Sequence, residues 1–137
     1  MSDSYFVYNC PHEKLDPYRS MIYAKWLRSM RYGNEYAKLI EQTAYFKYAH
    51  DYITRLLDNP KTVIKLAVLT DDIDVVLGFS VIRGKVLDYV YVHKDQRRLG
   101  IGASLVPDDI ETFSNLTKVG LIVWKLKYPH LKFVPYL

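Results

Sequence analysis

One segment constrains the fold more than any other, because it joins a strand, a basic loop and a helix without interruption. Residues 86–92 (VLDYVYV) are aliphatic and aromatic, a composition typical of a β-strand. Arg97 and Arg98 follow, and Gly100 and Gly102 then open a short helical stretch. Glycines let a backbone approach a ligand closely, and the first amides of a helix have no internal acceptors. The segment therefore predicts an anion-binding loop suited to a pyrophosphate.

The loop differs from two other phosphate-binding loops. It lacks the Lys-Ser/Thr end of a P-loop, which disfavours a magnesium-nucleotide hydrolase. It lacks a third glycine and follows several predicted strands, which disfavours a dinucleotide-binding fold. A Gly-x-Gly pair alone also fits a simple tight turn, so the rest of the chain must decide between these interpretations.

The rest of the chain predicts a helical pair followed by an antiparallel meander. A strand over residues 5–8 precedes a helix that begins at Asp16 and Pro17 and ends at Gly33. A second helix covers residues 34–58. The predicted order is β-αα-βββ-α-β-α-β, since turn residues separate the later apolar runs. These later elements are predicted at residues 63–69, 75–82, 86–92, 100–106, 110–114, 117–127 and 131–134.

Helical spacing predicts which faces of the two helices are buried. In the first helix, Ile22, Trp26 and Met30 recur every four residues and form one apolar stripe. The second helix has an inward face and a set of tyrosines that we expect on its flanks. The inward face is Leu39, Phe46, Ala49, Ile53 and Leu56, and the tyrosines are Tyr36, Tyr45, Tyr48 and Tyr52.

Composition excludes several classes of protein. A length of 137 residues fits one domain, residues 1–137, and the single cysteine, Cys10, forms no internal disulfide. No apolar run approaches the ~18 residues of a membrane span, and the first residues do not resemble a signal peptide, so we expect a cytoplasmic protein without a membrane partner. Cysteine and histidine never cluster at metal-binding spacing, so no metal site is predicted. The net charge is +4, but the basic residues are scattered, which disfavours nucleic acid as a partner.

The segment from Tyr91 to Gly102 resembles the acetyl-CoA-binding motif of the Gcn5-related N-acetyltransferases (GNAT), whose signature is Arg/Gln-x-x-Gly-x-Gly/Ala after the fourth strand. Arg97, Gly100 and Gly102 match that signature position by position. The predicted element order is also similar over nearly the whole chain. The resemblance implies an α+β, GNAT-like acyl-CoA N-acyltransferase fold with a mixed, mostly antiparallel central sheet flanked by helices. Compact size and tyrosine-rich helices also resemble small acetyltransferase-like proteins of bacteriophages.

The same resemblance implies an activity and a binding site. Acetyl-CoA would be the co-substrate, and its acetyl group would pass directly to a primary amine in a ternary complex. The backbone of Val90, Tyr91 and Val92 would bind the pantetheine arm and the thioester, beside a splay between the fourth and fifth strands. Amides of the loop and the helix start would hold the pyrophosphate, namely those of Arg97, Arg98, Leu99, Gly100, Ile101, Gly102 and Ala103.

Asp88 is the candidate general base. It is a carboxylate on a mostly apolar strand, and it matches the place where several family members carry a catalytic glutamate. It stands four residues before Val92, so we expect both on one face of the strand; a hydrated aspartate at the sheet rim is the alternative. The general-acid tyrosine of many family members has no match, because Ile122 stands at the family's spacing after Asn115. Tyr128 is the remaining candidate acid.

Two further departures leave alternatives open. Residues 132–137 supply one strand where family members usually have two, so the chain resembles a C-terminally short member. The acceptor side would then be open or completed by a second copy of the chain, a homodimer. The functional alternatives are a GNAT-fold module that binds CoA or a protein without catalysis, and a basic nucleic-acid-binding protein. The helical pair and the connection Arg31–Glu35 do not identify the acceptor amine.

Overall fold

The computed structural model describes residues 4–33, 41–93, 100–114 and 128–134. In these ranges, six strands form one sheet whose order follows the chain. The first four strands run antiparallel to their neighbours, and the last two are added in parallel. The strands are β1 Tyr5–Cys10, β2 Thr62–Leu69, β3 Val76–Arg83, β4 Val86–Val92, β5 Thr112–Phe113 and β6 Lys132–Phe133. A mixed, mostly antiparallel sheet flanked by helices is therefore confirmed.

The helices are α1 Asp16–Gly33, α2 Gln42–Asp58 and α3 Ile101–Leu105, with a 3-10 turn at His12–Lys14. The bounds of α1 are those predicted. The side chain of Glu41 begins α2 by accepting hydrogen bonds from the backbone N–H groups of Thr43 and Ala44, which have no acceptors within the helix. The earlier start predicted for this helix falls on residues 34–40, which lie outside the described residues, as does the predicted helix 117–127.

Helices α1 and α2 pack on one face of the sheet. Ile22 and Trp26 of α1 are fully buried there, as their spacing predicts. From α2, Ala49, Ile53 and Leu56 are buried, also as predicted. The side chain of Met30, and Tyr36 and Leu39, lie outside the described residues, and Phe46 is only partly buried.

The prediction that the α2 tyrosines flank the helix is wrong for Tyr45 and Tyr52, which are 4% and 6% exposed. Tyr52 packs edge-on against Trp26, with 6.4 Å between ring centroids. Tyr45 is buried beneath α1, where its hydroxyl donates to the backbone carbonyl of Leu27 at 3.4 Å. A tyrosine can be buried in a core when its hydroxyl makes a hydrogen bond. The spacing of apolar residues along a helix does not show whether such a bond forms. Tyr48 is 53% exposed, as predicted.

Helix α3 packs on the opposite face of the sheet. Ile101 and Leu105 form a buried cluster there with Ala67 and Leu77. Ser80 of β3 points to the same face, because its hydroxyl donates to the backbone carbonyl of Leu105 at 2.8 Å. A second cluster on this face contains Ile82, Leu87, Ile110, Phe113 and Leu131. The start of α3 is thus fixed directly beside β4.

Strands β2 and β3 begin and end within one residue of the prediction, and β4 has the predicted bounds. Strand β5 is shorter than predicted, with two residues in place of the stretch 110–114, and β6 has two in place of 131–134. No helix in the described ranges is both long enough and apolar enough to span a bilayer.

Candidate functional site

Over its second half, β4 has a strand partner on only one edge among the described residues. Strand β5 pairs only with Val86 and Leu87 of β4. The backbone N–H of Ser114 donates to the carbonyl of Leu87 at 3.1 Å. From residue 89 onward, β4 pairs with β3 on one edge. In the described parts of the chain, no strand pairs with its other edge.

The backbone groups of Val90 and Val92 are directed away from β3, to the second edge of β4. The backbone N–H of His93 donates to the carbonyl of Leu77 at 2.8 Å, so alternation along the strand directs the groups of Tyr91 to β3 as well. The Tyr91 carbonyl lies so close to Gly78 that a Cβ there would stand 2.5 Å from it. Of the three residues predicted to bind pantetheine through their backbone, Val90 and Val92 direct their backbone groups away from β3 and Tyr91 directs its groups toward β3, and the binding role of all three stays a prediction.

A glycine turn leads into α3 beside the end of β4. Gly100 has φ 82° and ψ 3°, the left-handed region that favours glycine, and it immediately precedes the helix. A Cβ on Gly102 would lie 3.7 Å from Cγ2 of Val92, so the first helical turn contacts the end of the strand. Ile101 is buried, whereas Gly100 and Ala103 are exposed. Of the predicted pyrophosphate-binding residues, Arg97, Arg98 and Leu99 lie outside the described residues.

Asp88 occupies a β-bulge. Tyr89 pairs with Val81 and Leu87 pairs with Ile82, so Asp88 is one extra residue in β4. Leu87 shares a cluster with Ile82 and the neighbouring Val90, on the face that carries α3. Asp88 therefore points to the opposite face, which carries α1 and α2. The expectation that Asp88 and Val92 share a face is wrong, because the bulge reverses the alternation between them.

The Asp88 carboxylate is buried and held by two neighbouring strands. Asp88 is 1% exposed. Arg83 of β3 donates from Nε to Oδ2 at 2.5 Å and from Nη2 to Oδ1 at 2.8 Å. Ser114, directly after β5, donates from its hydroxyl to Oδ1 at 2.5 Å. The hydrogen bond to Asp88 is the main cause that raises the pKa of the Arg83 guanidinium above its ordinary value.

Sequence reasoning missed this cluster of Arg83, Asp88 and Ser114. A partial signal was present, since Arg83 and Asp88 flank the hairpin turn at Gly84 and carry opposite charges. Ser114 gave no signal, because only the parallel pairing of β4 with β5 brings it to the bulge. The alternative reading of Asp88 as a hydrated residue at the sheet rim does not fit its burial.

Tyr128 lies on the other face of the sheet from Asp88. It packs against the cluster that contains Leu87 and Phe113. It also lines a surface cavity of about 160 Å³ that reaches Ala103 at the first turn of α3. The structure therefore brings Tyr128 near the predicted cofactor residues but does not bring the two candidate catalytic side chains together. Among the described residues, no group of three or more histidine, cysteine or acidic side chains is placed to bind a metal ion.

Comparison with known proteins gives similarity in structure only. No protein-family model matches the chain, and no curated protein sequence matches it. A candidate acetyl transferase from Pyrococcus furiosus superimposes with a TM-score of 0.54 at 15% identity, over 98% of this chain and 83% of that one.

Two other solved structures overlap less closely. A ribosomal-protein-alanine N-acetyltransferase from Brucella melitensis has a TM-score of 0.47 at 14% identity, over 98% of this chain and 80% of that one. The apo form of YjaB from Escherichia coli has a TM-score of 0.49 at 22% identity, over 74% of this chain. The chain spans 61% of the length of YjaB.

The strand order, the helical layers and the Pyrococcus superposition define the class of fold. The chain has an α+β, GNAT-like fold, as the resemblance in its sequence implies.

Proposed function

We propose that this chain is an N-acetyltransferase that moves an acetyl group from acetyl-CoA to a primary amine by direct transfer in a ternary complex. One observation carries the proposal: in a GNAT-like fold, β4 ends beside the glycine turn at the start of α3, and its second half has no described strand partner on the edge away from β3. The two features are adjacent, because Gly102 contacts Val92.

Each feature suits one part of CoA. The pantetheine arm contains amide groups, and an extended chain of amides can add to an exposed sheet edge as a further strand does. Val90 and Val92 direct their backbone groups to that edge. The pyrophosphate suits a glycine-rich turn with basic side chains, and Arg97 and Arg98 would supply the charge.

The reaction needs little from the protein beyond positioning. The neutral amine attacks the thioester carbonyl, a C–N bond forms, the C–S bond breaks, and CoA leaves as a thiolate while the nitrogen loses a proton. A positioned base would accelerate that proton loss. Asp88 as the base and Tyr128 as the acid remain predictions, and their locations on opposite faces of the sheet support separate tests of the two roles.

The second candidate function is a module that binds CoA, or a protein partner, without catalysis. The burial of Asp88 favours it, because a carboxylate that already accepts from Arg83 and Ser114 must break these bonds before it can take a proton from an amine. Release of free CoA thiol from acetyl-CoA in the presence of a panel of amines distinguishes the two functions. A protein that binds CoA but releases no thiol with any amine would be the non-catalytic module.

The first test is a thermal-shift titration with acetyl-CoA, CoA and ATP. A ligand that binds only the folded state stabilises it by about 2.7 kcal/mol at a hundredfold excess over Kd, which would raise the Tm of a domain of this size by roughly 6–10 °C. We expect this rise with acetyl-CoA and CoA, a smaller one with ATP, and its loss in Arg97→Glu.

The matched control is Arg28→Glu, which reverses an exposed charge on α1. Its Tm should rise with CoA as in the wild type. If acetyl-CoA at millimolar concentration does not raise the Tm of the wild-type protein, the proposed site is contradicted. If Arg97→Glu and Arg28→Glu lose the CoA-induced rise in Tm equally, CoA binds only through non-specific charge attraction.

A further inference from the structure

A surface cavity of about 360 Å³ lies where the chain turns from β1 into α1. We propose that this cavity binds a small zwitterion with an apolar side chain, such as an apolar or aromatic amino acid. The cavity is separate from the site proposed for CoA, because β1 is three strands away from β4, about 14 Å at the usual spacing between strands. The inference therefore goes beyond the proposed function and does not depend on it.

The cavity belongs to one stretch of the chain, residues 8–18, all of which are described. The ranges outside the description join the fold elsewhere. Residues 34–40 follow Gly33, at the opposite end of α1, which is a helix about 27 Å long. Residues 1–3 precede the opposite end of β1, and the other ranges follow β4, β5 and β6. The cavity therefore lies apart from the points where those ranges join the fold.

The inner lining of the cavity is mostly apolar and uncharged at neutral pH. Cys10 is 7% exposed and Tyr8 is partly buried. Burial raises the pKa of Tyr8 to about 12, and it also raises the pKa of the Cys10 thiol, so both side chains stay neutral. The rings of Pro11, Pro17 and Tyr18 complete the lining. Small-molecule sites have this character and volumes of roughly 300–1,000 Å³, so an apolar side chain of a ligand can pack here.

Two side chains of opposite charge, Glu13 and Lys14, line the same cavity and are exposed. In the described part of the chain, neither of them forms an ion pair. The ammonium group of a ligand is attracted by Glu13, and its carboxylate is attracted by Lys14. A ligand with one charge gains only one of these attractions and is repelled by the other side chain. The pair of charges therefore favours a zwitterion.

The turn that carries Glu13 and Lys14 is fixed to the rest of the fold. Leu15, directly after this turn, is 1% exposed. Within the turn, Nε2 of His12 donates to the backbone carbonyl of Thr62 at 2.7 Å. A preformed site loses less conformational freedom when a ligand binds, which favours the binding of a small molecule.

The experiment titrates the isotope-labelled full chain and follows the chemical shifts of its backbone amides. L-phenylalanine is the first probe. Phenethylamine lacks its carboxylate, hydrocinnamate lacks its ammonium group, and glycine lacks its ring. We expect L-phenylalanine to shift the amides of Cys10, Lys14 and Tyr18 and to bind more tightly than the other probes, because it alone combines both charges with an apolar side chain.

Two charge variants assign the parts of the ligand to the two side chains. Lys14→Gln should raise the Kd of L-phenylalanine and hydrocinnamate about twofold to fivefold, since exposed ion pairs are weak, and should not weaken phenethylamine. Glu13→Gln should weaken L-phenylalanine and phenethylamine to a similar degree, and should not weaken hydrocinnamate. The matched controls are Lys61→Gln and Asp51→Asn, which remove exposed charges outside the cavity and should leave every affinity unchanged.

Three results would overturn the proposal. The first is that L-phenylalanine at millimolar concentration shifts no amide of residues 8–18. The second is that both charge variants bind every probe as the wild type does, because the cavity would then accept any aromatic molecule. The third is that the shifts are confined to residues 90–93, which would mean that the amino acid binds beside the proposed CoA site. The titration contains no CoA, so its result is independent of whether the protein binds CoA.

Discussion

At the scale of single residues, Tyr8 shows how burial changes a side chain at the N-terminal strand. Its hydroxyl lies 3.3 Å from that of Tyr18 at the start of α1. Burial, followed by the hydrogen bond with Tyr18, raises the pKa of Tyr8 from 10.0 to about 12. The folded protein therefore favours the protonated phenol more strongly than the unfolded chain does.

This pKa predicts a specific loss of stability at alkaline pH. The unfolded chain ionises Tyr8 near pH 10, whereas the folded protein does so only near pH 12. The stabilisation by Tyr8 is therefore complete below pH 10 and is lost as the pH rises through 12. The free energy of unfolding, measured by urea titration between pH 9 and 12, should fall more steeply for the wild type than for Tyr8→Phe.

The matched control for this experiment is Tyr48→Phe, which removes a hydroxyl from an exposed residue of α2. Tyr8→Phe and the wild type should differ most in their response to pH between 10 and 12. Parallel curves for the wild type and Tyr8→Phe over this interval would contradict the assigned environment of Tyr8.

The sequence predicted correctly which side chains are buried where the repeat of a single helix determines the buried face. Ile22 and Trp26 are buried because their spacing matches the helix repeat. Asp88 was assigned to the wrong face, because alternation along one strand does not show that its pairing with β3 contains an extra residue. Tyr52 was assigned to a flank, because its burial depends on Trp26 in another helix. Both errors arise from contacts with another element, which the pattern of a single helix or strand does not show.

At the scale of elements, the glycine turn before α3 combines a strained backbone with the proposed site. Gly100 and Gly84 both have positive φ, and a Cβ at either position would meet nothing within 4 Å. Substitution by alanine should therefore act through backbone conformation alone. The left-handed conformation costs an L-residue roughly 1–2 kcal/mol, so Gly100→Ala and Gly84→Ala should lower the free energy of unfolding by similar amounts.

The two alanine variants should differ in ligand binding. Gly100 precedes the first turn of α3, whereas Gly84 lies in the turn between β3 and β4. Chemical denaturation gives the stability of each variant, and calorimetry with CoA gives its affinity. We expect only Gly100→Ala to bind CoA more weakly. Equal affinities in the two variants would place the pyrophosphate away from this turn.

Elements were predicted best where the chain alternates regularly between clear turn signals. Strand β4 matches its predicted bounds, and β2 and β3 are within one residue. Strands β5 and β6 were predicted too long, because their apolar residues also fill the cluster around Ile110 and Leu131 outside the sheet. Apolar character indicates burial there but does not distinguish a strand from a packed loop.

At the scale of the whole molecule, the sheet ends in β1 on one side and β6 on the other within the described residues. Phe133 of β6 is 36% exposed and stacks on Phe113, with 5.2 Å between ring centroids. An exposed strand with an aromatic side chain is a template for pairing with another chain. The predicted homodimer would use this edge.

Light scattering after size-exclusion chromatography tests the homodimer by measuring the mass in solution. We expect twice the mass of one chain for the wild type and a monomer for Phe133→Glu, since a charge on the pairing edge opposes association. Phe6→Glu is the matched control on β1, where Phe6 is 41% exposed. A wild-type monomer at high concentration, or dissociation by Phe6→Glu alone, would contradict this arrangement.

The order of strands and helices in the described residues was predictable, because each of these elements is separated from the next by turn residues and the motif after β4 resembles one family. The glycine turn at the start of α3 could also be anticipated from that resemblance. The complete Arg83, Asp88 and Ser114 cluster could not, since Ser114 follows β5 and reaches the hairpin that carries the other two only through the pairing of β4 with β5.

The bulge at Asp88 also affects how this strand is compared with strands of other proteins. An alignment of β4 with an unbulged strand needs a one-residue gap at Asp88. Without the gap, residues on one side of Asp88 are matched to residues of the opposite face, and inward positions are scored against outward ones. A correct alignment therefore pairs Leu87 and Val90 with positions of the same face and leaves Asp88 without an equivalent.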